Sequence, residues 1–105
     1  MDLADLQDLL RSGAVRLDLT GHARIEAMKD GLLSEDLKQV AEFGEIVEEY
    51  DERHRVLLLG HTESDGLPCH LVLEYQPAED FATIVTAYVP DLAQWHPNFK
   101  TRKLR

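Results

Sequence analysis

The chain has a single cysteine, Cys69, in 105 residues. One thiol cannot form an internal disulfide, and it excludes zinc sites built from several cysteines. Long apolar runs are also missing. Val56-Leu57-Leu58-Leu59 is strand-sized, whereas a membrane helix needs about 18 residues. Positive charge is scarce: 11 Lys and Arg stand against 20 Asp and Glu, a formal net charge of −9. Holding nucleic acid by bulk electrostatics needs a basic footprint that this chain lacks. No glycine-rich phosphate loop occurs, and neither does a Gly/Ser-rich linker or an internal repeat.

What is present suits a globular protein. A hydrophobic content of 44% is ordinary for a packed core, and this length suits a single domain. The expected division is an N-terminal helix and short strand over 1–19, a core over 20–95 and a polar, basic tail over 96–105. The charge is uneven. Residues 1–52 carry 14 acids and five bases, and residues 53–105 carry six of each. The acidic opening MDLADLQDLL differs from the basic start of a signal peptide, so the expected location is cytoplasmic.

Leu3, Leu6, Leu9 and Leu10 fall at helical spacing, with Asp2 to cap and Gly13 to terminate. Val15, Leu17 and Leu19 alternate with polar residues, which predicts a short strand. Thr20 and Ser34 are expected N-caps of a second helix (21–30) and a third that ends at Gly44. In the second helix, Ile25, Met28 and Leu32 are expected to face the core. From residue 45 the period changes to two, predicting strands at 45–50, 55–61, 68–75 and 81–88. Their short connections favour antiparallel neighbours. The expected fold is therefore α+β, with two to three helices on one face of a four- to five-stranded antiparallel meander.

Closing the last hairpin across Gln76–Asp80 pairs Tyr75 with Phe81, Val72 with Ile84, His70 with Thr86 and Pro68 with Tyr88. Cys69, Leu71, Leu73, Thr83, Val85 and Ala87 then form an apolar face under the helices. His70, Thr86 and Tyr88 lie on the opposite face, joined by Ile46, Glu48 and Tyr50. A one-residue slip would invert a strand.

The segments GEIVEEYDE, VLLLGHTESDGLPCHLVLEY and TIVTAYVPDLAQW, with the helical HARIEAMKDGLLSEDLKQV, resemble the bacterial domain-of-unknown-function 4258 family. The most specific pieces are P-x-H-x-V at Pro68–Val72 and T-x-Y-x-P-x-x-x-x-W at Thr86–Trp95. The resemblance implies a RelE/barnase-like small ribonuclease fold. It also implies a toxin–antitoxin setting with a small antitoxin as partner. Functional positions would fall on His22, Arg24, His70, Thr86 and Tyr88. The chain departs from the pattern at Glu26 and Asp30, where the family often carries basic residues.

Metal-free RNA cleavage needs a base, an acid and positive charge at the phosphorane. His70 and His22 would supply acid and base, because imidazole titrates near neutrality. Arg24 would clamp phosphate, and Thr86 and Tyr88 would position it. No cofactor is implied. A metal held by His22, His70 and Glu48 has no supporting spacing. The bland readings stand beside these: His70 bonded to Thr86 inside the sheet, and His22 solvated at a helix start. Two functions follow. One is a metal-independent endoribonuclease of a toxin–antitoxin pair. The alternative is a non-catalytic module of the same fold that holds a protein or small ligand on the open sheet face. A homodimer through an edge strand stays open.

Overall fold

The computed structural model describes residues 2–63, 65–76 and 80–104. Parts of both expected hairpin loops and Arg105 of the basic tail lie outside the described residues. The elements run α1 (Leu3–Ser12), β1 (Arg16–Leu19), α2 (Gly21–Lys29), α3 (Ser34–Phe43), β2 (Glu45–Tyr50), a 3-10 turn (Asp51–Arg53), β3 (Arg55–His61), β4 (Pro68–Tyr75) and β5 (Phe81–Tyr88). The five strands form one sheet in the order β1-β5-β4-β3-β2.

β2 to β5 make the antiparallel meander that their short connections dictate. β1 corrects the expectation of an all-antiparallel sheet. It lies beside β5 and runs parallel to it. Two helices separate β1 from β2, so the chain crosses the sheet before the meander starts and returns to β1 only with its last strand. The fold is α+β, with three helices on a mixed sheet.

Capping follows local chemistry. Asp2 accepts from the Ala4 N–H, and Gly13 closes α1 at φ 82°. Thr20 Oγ1 accepts from the Ala23 N–H at the start of α2. Ser34 is not the cap of α3. That position belongs to Leu33, whose N–H is held by the Asp36 carboxylate at 2.9 Å.

α1 packs on α3, α3 on β3 and β4, and α2 on β5. The core between helices and sheet holds Leu6, Leu10, Val40, Ala41, Leu58, Cys69, Leu71, Leu73, Ala82, Ile84 and Ala87. Gly60 of β3 lets α3 approach, since a Cβ there would sit 2.7 Å from Val40 Cγ2.

The expected register is off by one residue at the hairpin loop and by two at the far end, where only the faces come back into agreement. Tyr75 pairs with Ala82 and Leu73 with Ile84. After a bulge, Val72 pairs with Thr86 and His70 with Tyr88. Val85 is the extra residue. Were Val85 paired in regular alternation instead of bulged, Thr86 would turn toward the helices and Ala87 would lie beside His70. Thr83 therefore joins the polar face, where it pairs with Glu74, and Ile84 joins the core. A second bulge in β2 leaves Val47 unpaired. It moves Ile46 to the side of Leu58 while Glu48 pairs with Leu57.

Of the residues expected to face the core from the second helix, Leu32 is buried as expected and the other two are corrected. Ile25 and Met28 are 57% and 71% exposed, and Ala23 and Ala27 are buried in their place. Ala23, Glu26, Ala27 and Asp30 recur at i, i+3, i+4 and i+7 and form the face turned to β5.

Candidate functional site

His70 stands in the middle of β4 with none of its surface exposed. Its Nε2 lies 2.7 Å from the Phe99 carbonyl oxygen, which can only accept. Nε2 therefore carries the proton. Nδ1 is bare and accepts from the Tyr88 hydroxyl at 3.2 Å. The ring also makes edge contacts with Tyr88 and Trp95, at 5.4 and 4.5 Å between centroids. Burial pushes the imidazole pKa below its ordinary value; the Phe99 bond and the Glu48 charge pull weakly the other way. Burial also raises the Tyr88 pKa. A neutral histidine with both nitrogens engaged is a structural link in this conformation.

The cover over His70 comes from Trp95 and from the segment expected to be a polar tail. Trp95 is buried and pairs with Arg102 in an antiparallel bridge. The His96 N–H donates to the Thr101 carbonyl, and the Lys103 N–H to that of Gln94. Residues 94–103 are thus a small hairpin laid over the sheet. Phe99, at φ 57°, takes a left-handed conformation that costs a bulky residue about 1–2 kcal/mol. Its carbonyl forms the Nε2 bond. Arg102 fastens the hairpin with paired bonds to Glu48 at 2.7 and 2.9 Å and lies over Trp95 at 4.6 Å. Tyr50 donates to the same Glu48 carboxylate. The Arg102 bonds hold the Glu48 pKa below its usual range. Lys100 adds an ion pair to Glu45 at 3.0 Å.

Thr86 takes a different partner from the one expected. Its hydroxyl donates to Glu26 Oε1, which also accepts the Ala87 N–H at 3.1 Å. Asp30 accepts the Val89 N–H at 2.8 Å. β1 pairs with β5 only as far as Leu19 opposite Ile84, so beyond that point the edge of β5 would be bare. Two carboxylates one helical turn apart supply the missing acceptors. His22 is exposed, with Nε2 3.6 Å from Glu26 Oε1. Arg24 is exposed on the same helix. The structure thus joins His70 to Tyr88, and His22 to Thr86 through Glu26. Among the described residues no side-chain hydrogen bond or ion pair links Arg24 to either group.

The rest of the polar face is open. A concavity of about 550 Å³ is lined by Glu49, Tyr50, Asp51, Glu52, Arg53, Arg55, Val72 and Thr86. Arg55 is held by Glu74 across the strands at 2.8 Å. Among the described residues no three His, Cys, Asp or Glu side chains gather as metal ligands, so His22, His70 and Glu48 are not assembled into a set.

Phe99 and Arg102, which complete the cover with Trp95, escaped sequence reasoning, whereas Tyr50 was expected on this face. Trp95, the last residue of the expected core, was the available signal, as a lone tryptophan needs somewhere to bury its ring.

The profile of the domain of unknown function (DUF4258) matches residues 19–89. The chain belongs to that family. No curated protein and no solved structure matches it. The DUF4258 match runs from the end of β1 to just past β5. It contains His22, Glu26, His70, Thr86 and Tyr88, whereas Trp95, Phe99 and Arg102 lie beyond it. In this DUF4258 protein, the residues that enclose His70 come from outside the matched region.

Proposed function

We propose that the protein is a non-catalytic binding module that holds a basic polypeptide segment over the uncovered half of the polar sheet face. One observation carries this reading. Glu49, Asp51 and Glu52 rim the concavity, while the histidine of that face, His70, is buried with both ring nitrogens bonded. The net charge of −9 favours a cationic partner and steers its approach. A small antitoxin-like protein with a basic segment is the kind of partner that fits. The test is capture from the native host with wild-type protein and with Glu49→Lys/Glu52→Lys. The same basic protein should be retained by wild type, released by high salt and lost in the variant. A partner retained equally by both sinks the proposal.

A second reading keeps the ribonuclease of a toxin–antitoxin pair, with a RelE/barnase-like fold. It is favoured by His22, an exposed imidazole beside the Glu26 carboxylate that reaches Thr86 at the rim of the concavity. A carboxylate that orients an imidazole is what a general base uses. His22 would be that base, Thr86 and Arg24 would hold phosphate, and His70 and Tyr88 would act as supports or as the acid. This reading requires cleavage of RNA by the purified protein without added metal, and loss of cleavage in His22→Ala with the fold intact. Intact RNA and harmless expression in a bacterial host dismiss it.

A further inference from the structure

We infer that β1 is the seam of a homodimer, in which the β1 strands of two copies pair antiparallel about a two-fold axis at Leu17. This does not rest on the function proposed above.

β1 ends the sheet on one side. The Arg16 N–H donates to the Asp80 carbonyl, and the Thr20 N–H to that of Ile84. In a parallel pair alternate residues turn their backbone to the neighbour, so Leu17 and Leu19 turn theirs outward. Beside this edge lies a groove of about 470 Å³, floored by Leu17, Leu19 and Ile84 and walled by Leu10, Leu37 and Lys38. The opposite edge is protected against strand pairing. β2 carries Glu45, Glu48 and Glu49, a bulge at Val47 and ion pairs to the C-terminal hairpin. Those are the devices by which sheets avoid strand addition. β1 has no bulge, and its two charges are of opposite sign.

That pair of charges identifies the occupant. Arg16 and Asp18 stand two residues apart on the polar face, bonded to each other at 2.9 and 3.1 Å and still accessible. In a two-fold antiparallel pairing centred on Leu17, Arg16 faces the partner's Asp18 and Asp18 faces the partner's Arg16. Leu17 meets the partner's Leu17 and exchanges both backbone hydrogen bonds with it. Leu19 comes level with the partner's Val15, a buried residue whose N–H is already bonded to its own Leu9 carbonyl, so the seam is centred on Arg16–Asp18. The register centred on Asp18 would set two aspartates opposite each other, which is unfavourable. The sequence Arg-Leu-Asp is thus complementary to its own reverse. Because Leu17 and Leu19 lie on the helix side, the apolar grooves of the two copies merge across the seam. The joined sheet has ten strands.

Sedimentation equilibrium over a concentration series should give twice the 12.0 kDa chain mass. Arg16→Asp and Asp18→Arg should each weaken the dimer on the order of tenfold or more, since each sets like charges opposite. The double swap Arg16→Asp/Asp18→Arg restores complementarity and should restore the dimer. Circular dichroism checks that each variant folds. In wild type, amide exchange at Leu17 and Leu19 should slow as concentration rises, which decides the matter if a variant fails to fold. A monomer at every concentration overturns the inference, as does a dimer indifferent to the single changes or a double swap no better than they are.

Discussion

On the helix side of the sheet, Leu58, Cys69, Leu71, Leu73, Ile84 and Ala87 are sealed by three helices. On the other side, Leu57, Leu59 and His70 are also buried, but beneath a ten-residue hairpin. The first cover is held by apolar area, at about 25 cal/mol per Å², and contains little that titrates. The second is held by one indole, one imidazole bond, one carboxylate–guanidinium pair and the Lys100–Glu45 ion pair. The two faces should therefore fail separately, and only the second should respond to pH and salt.

The largest effect is expected on the helix side. Leu71→Ala leaves a cavity in the closed core and should cost about 2–5 kcal/mol in denaturant unfolding. Next is the edge of β5. Glu26→Ala strips the acceptor from the Thr86 hydroxyl and the Ala87 N–H and should cost about 1–3 kcal/mol. Glu26→Gln, which keeps an acceptor, should lose less.

Acid comes third and separates the faces. The folded pKa of His70 lies below its unfolded value, so the unfolded chain takes the proton first. Stability should fall as pH drops below about 6.5, by up to about 1.4 kcal/mol per pH unit, until the folded pKa is reached. Glu48, also depressed, adds a further loss at lower pH. Trp95, the only tryptophan, should report this as a fluorescence change before far-ultraviolet dichroism changes. Coincident transitions would mean that the hairpin and the main core form one cooperative unit.

The smallest effect is expected for Arg102→Ala. It removes an exposed pair worth about 0–1 kcal/mol. It should raise amide exchange in residues 94–103 and leave that of β4 unchanged. In wild type, high salt should act in the same direction.

Strand boundaries were legible because period-two alternation and short turns act locally. The four meander strands lie where the pattern puts them. The parallel placement of β1 was hidden, because nothing in four residues records which distant strand they meet. α2 misled for a physical reason. Periodicity weighs bulky apolar residues such as Ile25 and Met28, but this helix meets a strand edge that needs small residues and acceptors. Ala23, Glu26, Ala27 and Asp30 meet that need, so the acids that looked like lost basic positions have backbone partners. At the site, the shared face of His70 and Tyr88 was legible, and the Phe99 and Arg102 part of its cover was not. A carbonyl such as that of Phe99 can be supplied by any residue and leaves no mark in sequence.

The extra residue in β5 bears on how chains of this family are compared. Val85 works as a parity marker for the strand, because everything after it points opposite to where simple alternation would send it. A relative of the same length with no bulge would present its Ala87 equivalent to the aromatic cluster and its Tyr88 equivalent to the helices, whereas one lacking the Val85 equivalent would keep both as they are here in a regular strand. Gaps near this position therefore cannot be moved freely in an alignment. The motif T-x-Y-x-P can be carried to another chain as a spatial arrangement only after the residue preceding it has been counted.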